Sequence, residues 1–145
     1  CETAIGRLEA ADGFVGLTWG FLYAGAESVI ASLWKVDDAA TALLMKRLYE
    51  NLLGVYDEER MGFAAGTEMP KAEALHEAKR WLRHQKPEDN RRMLAELGMD
   101  TDALQERYRA ERGRTPTEDP QELAEPFDYS APKYWAAFVL IGSPD

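Results

Sequence analysis

The first residue is a cysteine, and it is the only cysteine among the 145 residues of the chain. Cys1 opens the stretch CETAIG and leads into Gly6 and polar residues, so it does not lie within an apolar core run. A lone cysteine is most often an inert, small hydrophobic side chain. At the end of a strand, however, it is placed where α/β sheets carry ligands and nucleophiles, and a base would activate its thiol.

Two histidines, His76 and His84, are the only candidates for that base within the sequence. Both fall in a predicted helix and have charged neighbours, which is typical of a solvated helix surface. We interpret both as surface residues, because nothing local places either beside Cys1. The sequence also lacks the ligand spacing of a metal site and a glycine-rich phosphate loop. We therefore expect neither a metal ion nor a cofactor.

Two acids, Asp37 and Asp38, follow an apolar run in the stretch LWKVDDAA. One hypothesis is that they cap the next helix, where a carboxylate accepts hydrogen bonds from free amide groups. The other is that they line a substrate pocket at the carboxyl edge of a sheet, with Trp34 in the core or in the pocket wall. The residue types alone favour capping, and an arrangement in which one acid caps the helix while the other faces the cleft also fits the pattern.

Apolar patterning predicts the elements that would position these residues. Continuous apolar runs predict two strands, at about 28–36 and 134–142, each covered on both faces. Helical periodicity, with Pro, Asp and Gly end signals, predicts helices at about 12–25, 38–53 and 70–85. Strands separated by helices indicate the α/β fold class.

A charged segment, residues 86–130, separates the last predicted helix from the second strand. It contains two short helical patterns, near 93–97 and 103–108, and we interpret it as a surface insertion that is too charged to be core. Two strands alone do not make a stable sheet of this kind. We therefore expect residues 1–145 to be the C-terminal portion of a single larger domain.

Bulk composition narrows the function classes. The formal net charge of −9, from 26 acidic and 17 basic residues, disfavours binding to nucleic acid. A single cysteine excludes an internal disulfide framework and fits a reducing compartment. No apolar run reaches the ~20 residues of a membrane helix, and no secretory signal is visible. The expected location is the cytoplasm.

Five stretches, in this order and spacing, resemble the C-terminal half of a CHAT domain: CETAIG, GLTWGFLYAGAESVIASLWKVDDAAT, LMKRLYENL, PKAEALHEAKRWL and PKYWAAFVLIGSP. CHAT domains are caspase-like modules that often follow TPR repeats in bacteria. The resemblance covers residues 1–83 and 132–144, and the insertion has no typical counterpart. It implies the C-terminal half of a caspase-like three-layer α/β/α sandwich.

The resemblance also implies roles for single residues. Cys1 takes the place of the catalytic cysteine, while the catalytic histidine of the family lies upstream, on the preceding strand. The family motif LW-x-V-x-D matches residues 33–38, a region that lines the substrate pocket in separase-like relatives. Trp34, Asp37 and Asp38 are therefore predicted pocket residues, and an acid there would favour a basic substrate residue. The implied activity is that of a cysteine endopeptidase, with a protein or peptide substrate, the upstream part of the domain and TPR repeats as partners.

Two other hypotheses remain open from the sequence. The first is an inactive, CHAT-like adaptor that only binds partners in bacterial signalling or defence. The second is an N-terminal nucleophile hydrolase, in which Cys1 uses its own α-amine as the base. Those hydrolases fold as layered antiparallel sheets, whereas the strands predicted here are separated by helices.

Overall fold

A computed structural model describes residues 18–112 and 125–145 of the chain. In chain order the elements are α1, of which residues 18–23 are described, β1 (Ser28–Ser32), α2 (Asp38–Leu52), α3 (Lys71–His84), α4 (Pro87–Glu96), α5 (Thr101–Arg112), α6 (Pro132–Trp135) and β2 (Phe138–Gly142). The mixed α/β class is confirmed, as are the two long predicted helices. Cys1 and the first part of the predicted helix 12–25 lie outside the described residues.

The two strands pair with each other in an antiparallel sheet. Ser28 lies opposite Gly142, and Ser32 lies opposite Phe138. Gly142 closes the pair in a conformation with φ of 109°, where a Cβ atom would lie 2.3 Å from the carbonyl oxygen of Glu27. Only glycine tolerates both the positive φ and this close approach of backbone.

Both strands are shorter than the apolar runs that predicted them. β1 ends at Ser32, although the Leu33 amide still donates to the carbonyl of Ala137, 2.9 Å away. Residues 134–137, predicted as strand, instead belong to α6 and its end, because Pro132 at the first helical position fixes the φ that a helical turn needs. The strand residues of β1 are half-buried, so the prediction of a strand covered on both faces is not met within the described residues.

The core lies mainly between α2 and α3, which are connected by residues 53–70. Apolar side chains at helical spacing face inward, as the periodicity predicts. Fully buried members include Leu43, Leu44 and Leu48 of α2 and Ala78 and Leu82 of α3. Burying a leucine side chain contributes roughly 1.5–3 kcal/mol, so this interface holds the helix pair together.

A buried polar cluster lies beside these leucines. The Glu77 carboxylate accepts from Nε of Arg47 at 2.9 Å and from Nη2 of Arg47 at 2.5 Å. Nδ2 of Asn51 donates to Glu77 at 2.6 Å and to the Ala74 carbonyl at 3.1 Å, and Nη1 of Arg60 donates to Oδ1 of Asn51 at 2.8 Å. The cluster therefore ties α2, α3 and the loop between them together through charge-assisted hydrogen bonds.

Burial opposes ionisation of Glu77, but the hydrogen bonds from Arg47 and Asn51 outweigh it and lower the pKa of this carboxyl group. Burial, together with the charge of Arg47, also lowers the pKa of the Arg60 guanidinium. Glu77 is only 6% exposed, so its negative charge is stable there only because the arginines neutralise it.

The charged segment 86–130 is not confined to the surface. Asn90 and Leu94 of α4 are fully buried, and Phe127 and Tyr129 are almost so. Nδ2 of Asn90 donates to the Phe127 carbonyl at 2.9 Å, which joins the two ends of the segment. The prediction that this segment is too charged to be core is therefore wrong for these residues, because some of its apolar and aromatic side chains turn inward, although Leu97 stays 43% exposed.

Candidate functional site

The connection between β1 and α2 holds the predicted pocket acids, and it assigns the first of them to capping. Asp37 is the N-cap of α2, with an extended backbone (φ −72°, ψ 134°). Its Oδ1 accepts from the amide of Ala40 at 2.9 Å, and its carbonyl accepts from the hydroxyl of Thr41 at 2.7 Å. The capping hypothesis is therefore confirmed for Asp37, which satisfies an amide of the first turn.

The second oxygen of Asp37 contacts the charged segment. Oδ2 accepts from the hydroxyl of Tyr108 at 3.1 Å, and Nη2 of Arg107 lies 3.8 Å away. The Tyr108 and Tyr129 hydroxyls are 3.1 Å apart. Burial raises the pKa of both phenols, and the Asp37 charge adds to this effect. Both tyrosines therefore stay neutral at physiological pH, and Asp37 is enclosed with its side chain only 15% exposed.

Asp38 differs from its neighbour because it is exposed. It lies in the first turn of α2, where a negative charge interacts favourably with the positive end of the helix dipole. The hypothesis that one acid caps the helix while the other faces a cleft is confirmed for the cap at Asp37. The other acid, Asp38, faces outward. Within the described residues, Asp38 is thus the acid whose carboxylate can meet a ligand without breaking the helix cap.

Trp34 precedes both acids on the same connection. Its Nε1 donates to the carbonyl of Lys133 at 3.0 Å, and its side chain is 36% exposed. The indole is therefore held against the start of α6 and still presents part of its ring to solvent. Trp34 and Asp37 thus lie on the β1–α2 connection and Asp38 is the first residue of α2, whereas Cys1 lies outside the described residues.

The two histidines are exposed on α3, as predicted. The Nδ1 atom of His84 lies 2.7 Å from the Arg80 carbonyl, one turn earlier in the same helix. Both histidines line a groove with Trp135 and Leu140, and no residue of the β1–α2 connection lines that groove. Neither has a role in the arrangement around Asp37.

Sequence reasoning missed Tyr108, Tyr129 and Arg107, which come from the charged segment and surround Asp37. The sequence signal that was available is the presence of aromatic residues among charged ones. In the structure Tyr108 also packs edge-on against Phe127, with ring centroids 5.8 Å apart. Aromatic side chains in a charged segment indicate a buried contact, but the sequence does not say with what.

Residues 18–112 and 125–145 contain no cluster of three or more histidine, cysteine or carboxylate side chains that could hold a metal ion. Within the same ranges no helix is both long and apolar enough to cross a membrane.

The described residues form a mixed α/β fold, with Trp34 and two acids directly after the first strand. Comparison with protein families identifies the family: the CHAT domain model matches residues 1–143. The chain therefore belongs to the CHAT domain family, which is caspase-like and cysteine-peptidase-like. No curated protein matches the chain, and no solved structure does.

Proposed function

We propose that the protein is a cysteine endopeptidase in which Cys1 is the nucleophile. The observation that carries this proposal is the family match, which extends over the cysteine motif and the strand-end motif together. We further propose that an upstream part of the same domain supplies the histidine. His76 and His84 are exposed on α3, and within the described residues neither forms a hydrogen bond to the β1–α2 connection.

The proposed reaction is hydrolysis of a peptide bond through a thioester. The Cys1 thiolate attacks the scissile carbonyl carbon, and the backbone amide of Cys1 supplies one donor of the oxyanion hole. The histidine gives the leaving amine its proton as the carbon–nitrogen bond breaks. Water then attacks the thioester, which releases the acid and restores the thiol.

Asp38 and Trp34 are the proposed pocket residues for the side chain before the scissile bond. Asp38 is exposed and its carboxylate has no hydrogen-bond or ion-pair partner within residues 18–112 and 125–145, whereas Asp37 is engaged by the helix cap and by Tyr108. Asp37 therefore supports the pocket by fixing the connection and does not itself bind substrate. A pocket that contains a carboxylate and an aromatic ring suits an arginine or lysine side chain, since both attract a cation.

The test is hydrolysis of fluorogenic peptides by the full-length gene product. The peptides differ only in the residue before the scissile bond, which is arginine, lysine, leucine or aspartate. We expect the arginine peptide to be cleaved, Cys1→Ala to abolish cleavage, and the isolated 145-residue chain to be inactive. Well-folded full-length protein with no cysteine-dependent turnover would overturn the proposal and favour the adaptor hypothesis.

The pocket assignment has a separate control. Asp38→Asn should lower kcat/KM for the arginine peptide about tenfold, which corresponds to the loss of one charge-assisted hydrogen bond. The same variant should leave the leucine peptide within about twofold. Asp57→Asn makes the same chemical change at an exposed position in the loop after α2, and it should alter neither. Equal losses for both peptides would remove Asp38 from the pocket.

A further inference from the structure

A groove of about 630 Å³ lies between α3 on one side and α6 and β2 on the other. Its apolar surface comes from side chains that include Leu75, Leu140 and Trp135. Its polar surface comes from α3 alone. None of the residues around Asp37 lines this groove, which we term the α3 groove.

The polar side chains of the α3 groove are all basic or imidazole groups. They recur every three or four residues, at His76, at Lys79 and Arg80, and at Arg83 and His84. This spacing places them on one face of the helix in successive turns, about 5.4 Å apart along its axis. Within the described residues, no aspartate or glutamate lines the groove.

These cations have no carboxylate partners within residues 18–112 and 125–145. Eight ion pairs occur there, and none involves Lys79, Arg80 or Arg83. This is unusual in a chain whose 26 acidic residues outnumber its 17 basic ones. Carboxylates are plentiful in the chain, yet these three cations lie together with no carboxylate partner among the described residues. They therefore form a positively charged patch on a chain whose net charge is negative.

Two of the cations are also held in position by the protein. The Arg83 guanidinium lies 5.6 Å from the centre of the Trp135 ring, within the range of a cation–π contact. The Lys79 ammonium donates to the Phe138 carbonyl, and burial lowers its pKa. Side chains that are ordered before a ligand arrives lose less entropy when it binds.

We propose that the α3 groove binds a short acidic peptide segment of a partner protein. Carboxylates of the segment meet Arg80 and Arg83, and one of its apolar side chains lies on Leu75 and Leu140. A peptide fits better than a nucleic acid, because a long phosphate backbone would extend beyond the groove onto a surface with a net charge of −9. Neither the cysteine chemistry nor the pocket at Asp38 is needed for this site.

The experiment is fluorescence anisotropy with the full-length gene product. The probe is a fluorescein-labelled peptide of alternating glutamate and leucine, and the comparison peptide has glutamine in place of each glutamate. We expect the first to bind and the second not to bind. Arg80→Gln combined with Arg83→Gln should weaken binding at least about tenfold, as expected for the loss of two charge-assisted contacts.

The matched control is Arg91→Gln combined with Arg92→Gln, which removes the same charge from the exposed face of α4, outside the groove. It should change affinity less than about twofold. Equal weakening by the two double variants would show non-specific attraction and overturn the proposal. Binding of the glutamine peptide would overturn it too, as would a site that takes ATP but not the acidic peptide. Thermal melts of both double variants check that the fold is retained.

Discussion

Replacing Glu77 by glutamine tests whether the buried polar cluster stabilises the fold. The carboxylate accepts three hydrogen bonds, two from Arg47 and one from Asn51. In Glu77→Gln the side-chain shape is kept, but one oxygen becomes an amide that faces donors and cannot accept from them. The charge that neutralises Arg47 is lost at the same time.

The expected loss follows from burial. Removing one partner of a fully buried ion pair costs about 3–5 kcal/mol. The Arg47 side chain retains 15% exposure and stacks over Trp81 at 5.1 Å, so part of its charge remains solvated. We therefore expect Glu77→Gln to lower the free energy of unfolding by about 2–3 kcal/mol, and Tm by on the order of 5–10 °C.

The assay is urea unfolding followed by tryptophan fluorescence, with Glu73→Gln as the control. Glu73 lies on the same helix and loses the same charge, but it is exposed, so its variant should change stability by less than about 0.5 kcal/mol. If the two variants lose the same stability, the effect is one of net charge, and the reasoning about the buried cluster is refuted.

The pH dependence gives a second check. The pKa of Glu77 is lower in the folded protein than the ordinary value of about 4.3. Its contribution to stability is therefore fully present above about pH 4.3 and is lost as the pH falls through the lower, folded pKa. The gap between wild type and Glu77→Gln should be constant near neutral pH and shrink in acid. A gap that does not change with pH would contradict the ionic origin of the effect.

Substitutions at three further sites, each with a control variant, probe the helix cap, its tyrosine partner and the strand pair, and each is measured as a change in the free energy of unfolding in urea. Asp37→Ala should cost about 1–2 kcal/mol through loss of the helix cap, whereas Asp37→Asn, which keeps an acceptor oxygen, should cost less than half as much; equal losses would contradict the capping role. Tyr108→Phe should cost about 1 kcal/mol by removing a part-buried hydroxyl bonded to Asp37, while Tyr49→Phe on an exposed ring should cost almost nothing. Gly142→Ala should cost more than 2 kcal/mol and speed amide exchange in the strands, because the new methyl group would meet backbone at 2.3 Å; Gly98→Ala, with open space around it, should cost only about 1 kcal/mol.

The helices that carry the core were predictable because their signals are local. Apolar residues at helical spacing marked α2 and α3, and Asp37 and Gly54 marked the ends of α2. The strands were predictable only as apolar runs. The second run begins as a helical turn because of Pro132, and the first run ends as a strand before Trp34, whose indole bonds to the Lys133 carbonyl far along the sequence.

The candidate site was predictable at the level of one connection. The sequence placed two acids at a strand end and left open which of them caps the helix. The answer depends on Tyr108, which lies 71 positions further along and bonds to Asp37 across the fold. The residue types and spacing of a short stretch carry no information on a partner so far away in sequence. For the same reason, the charge of the segment that contains Tyr108 predicts a surface location and not this contact.

The antiparallel pairing of β1 with β2 has a consequence for folding order. The two strands are separated by roughly a hundred residues, and the helices from α2 to α6 all lie in the chain between them. Closing so long a loop is entropically costly, whereas α2 and α3 meet across a short connection. We therefore expect the α2–α3 pair to form early and the strands to join last. Doubling the length of a loop raises the free-energy cost of closing it by only about 0.6 kcal/mol. The chain between β1 and β2 can therefore gain or lose residues over evolution while the strand pairing stays the same.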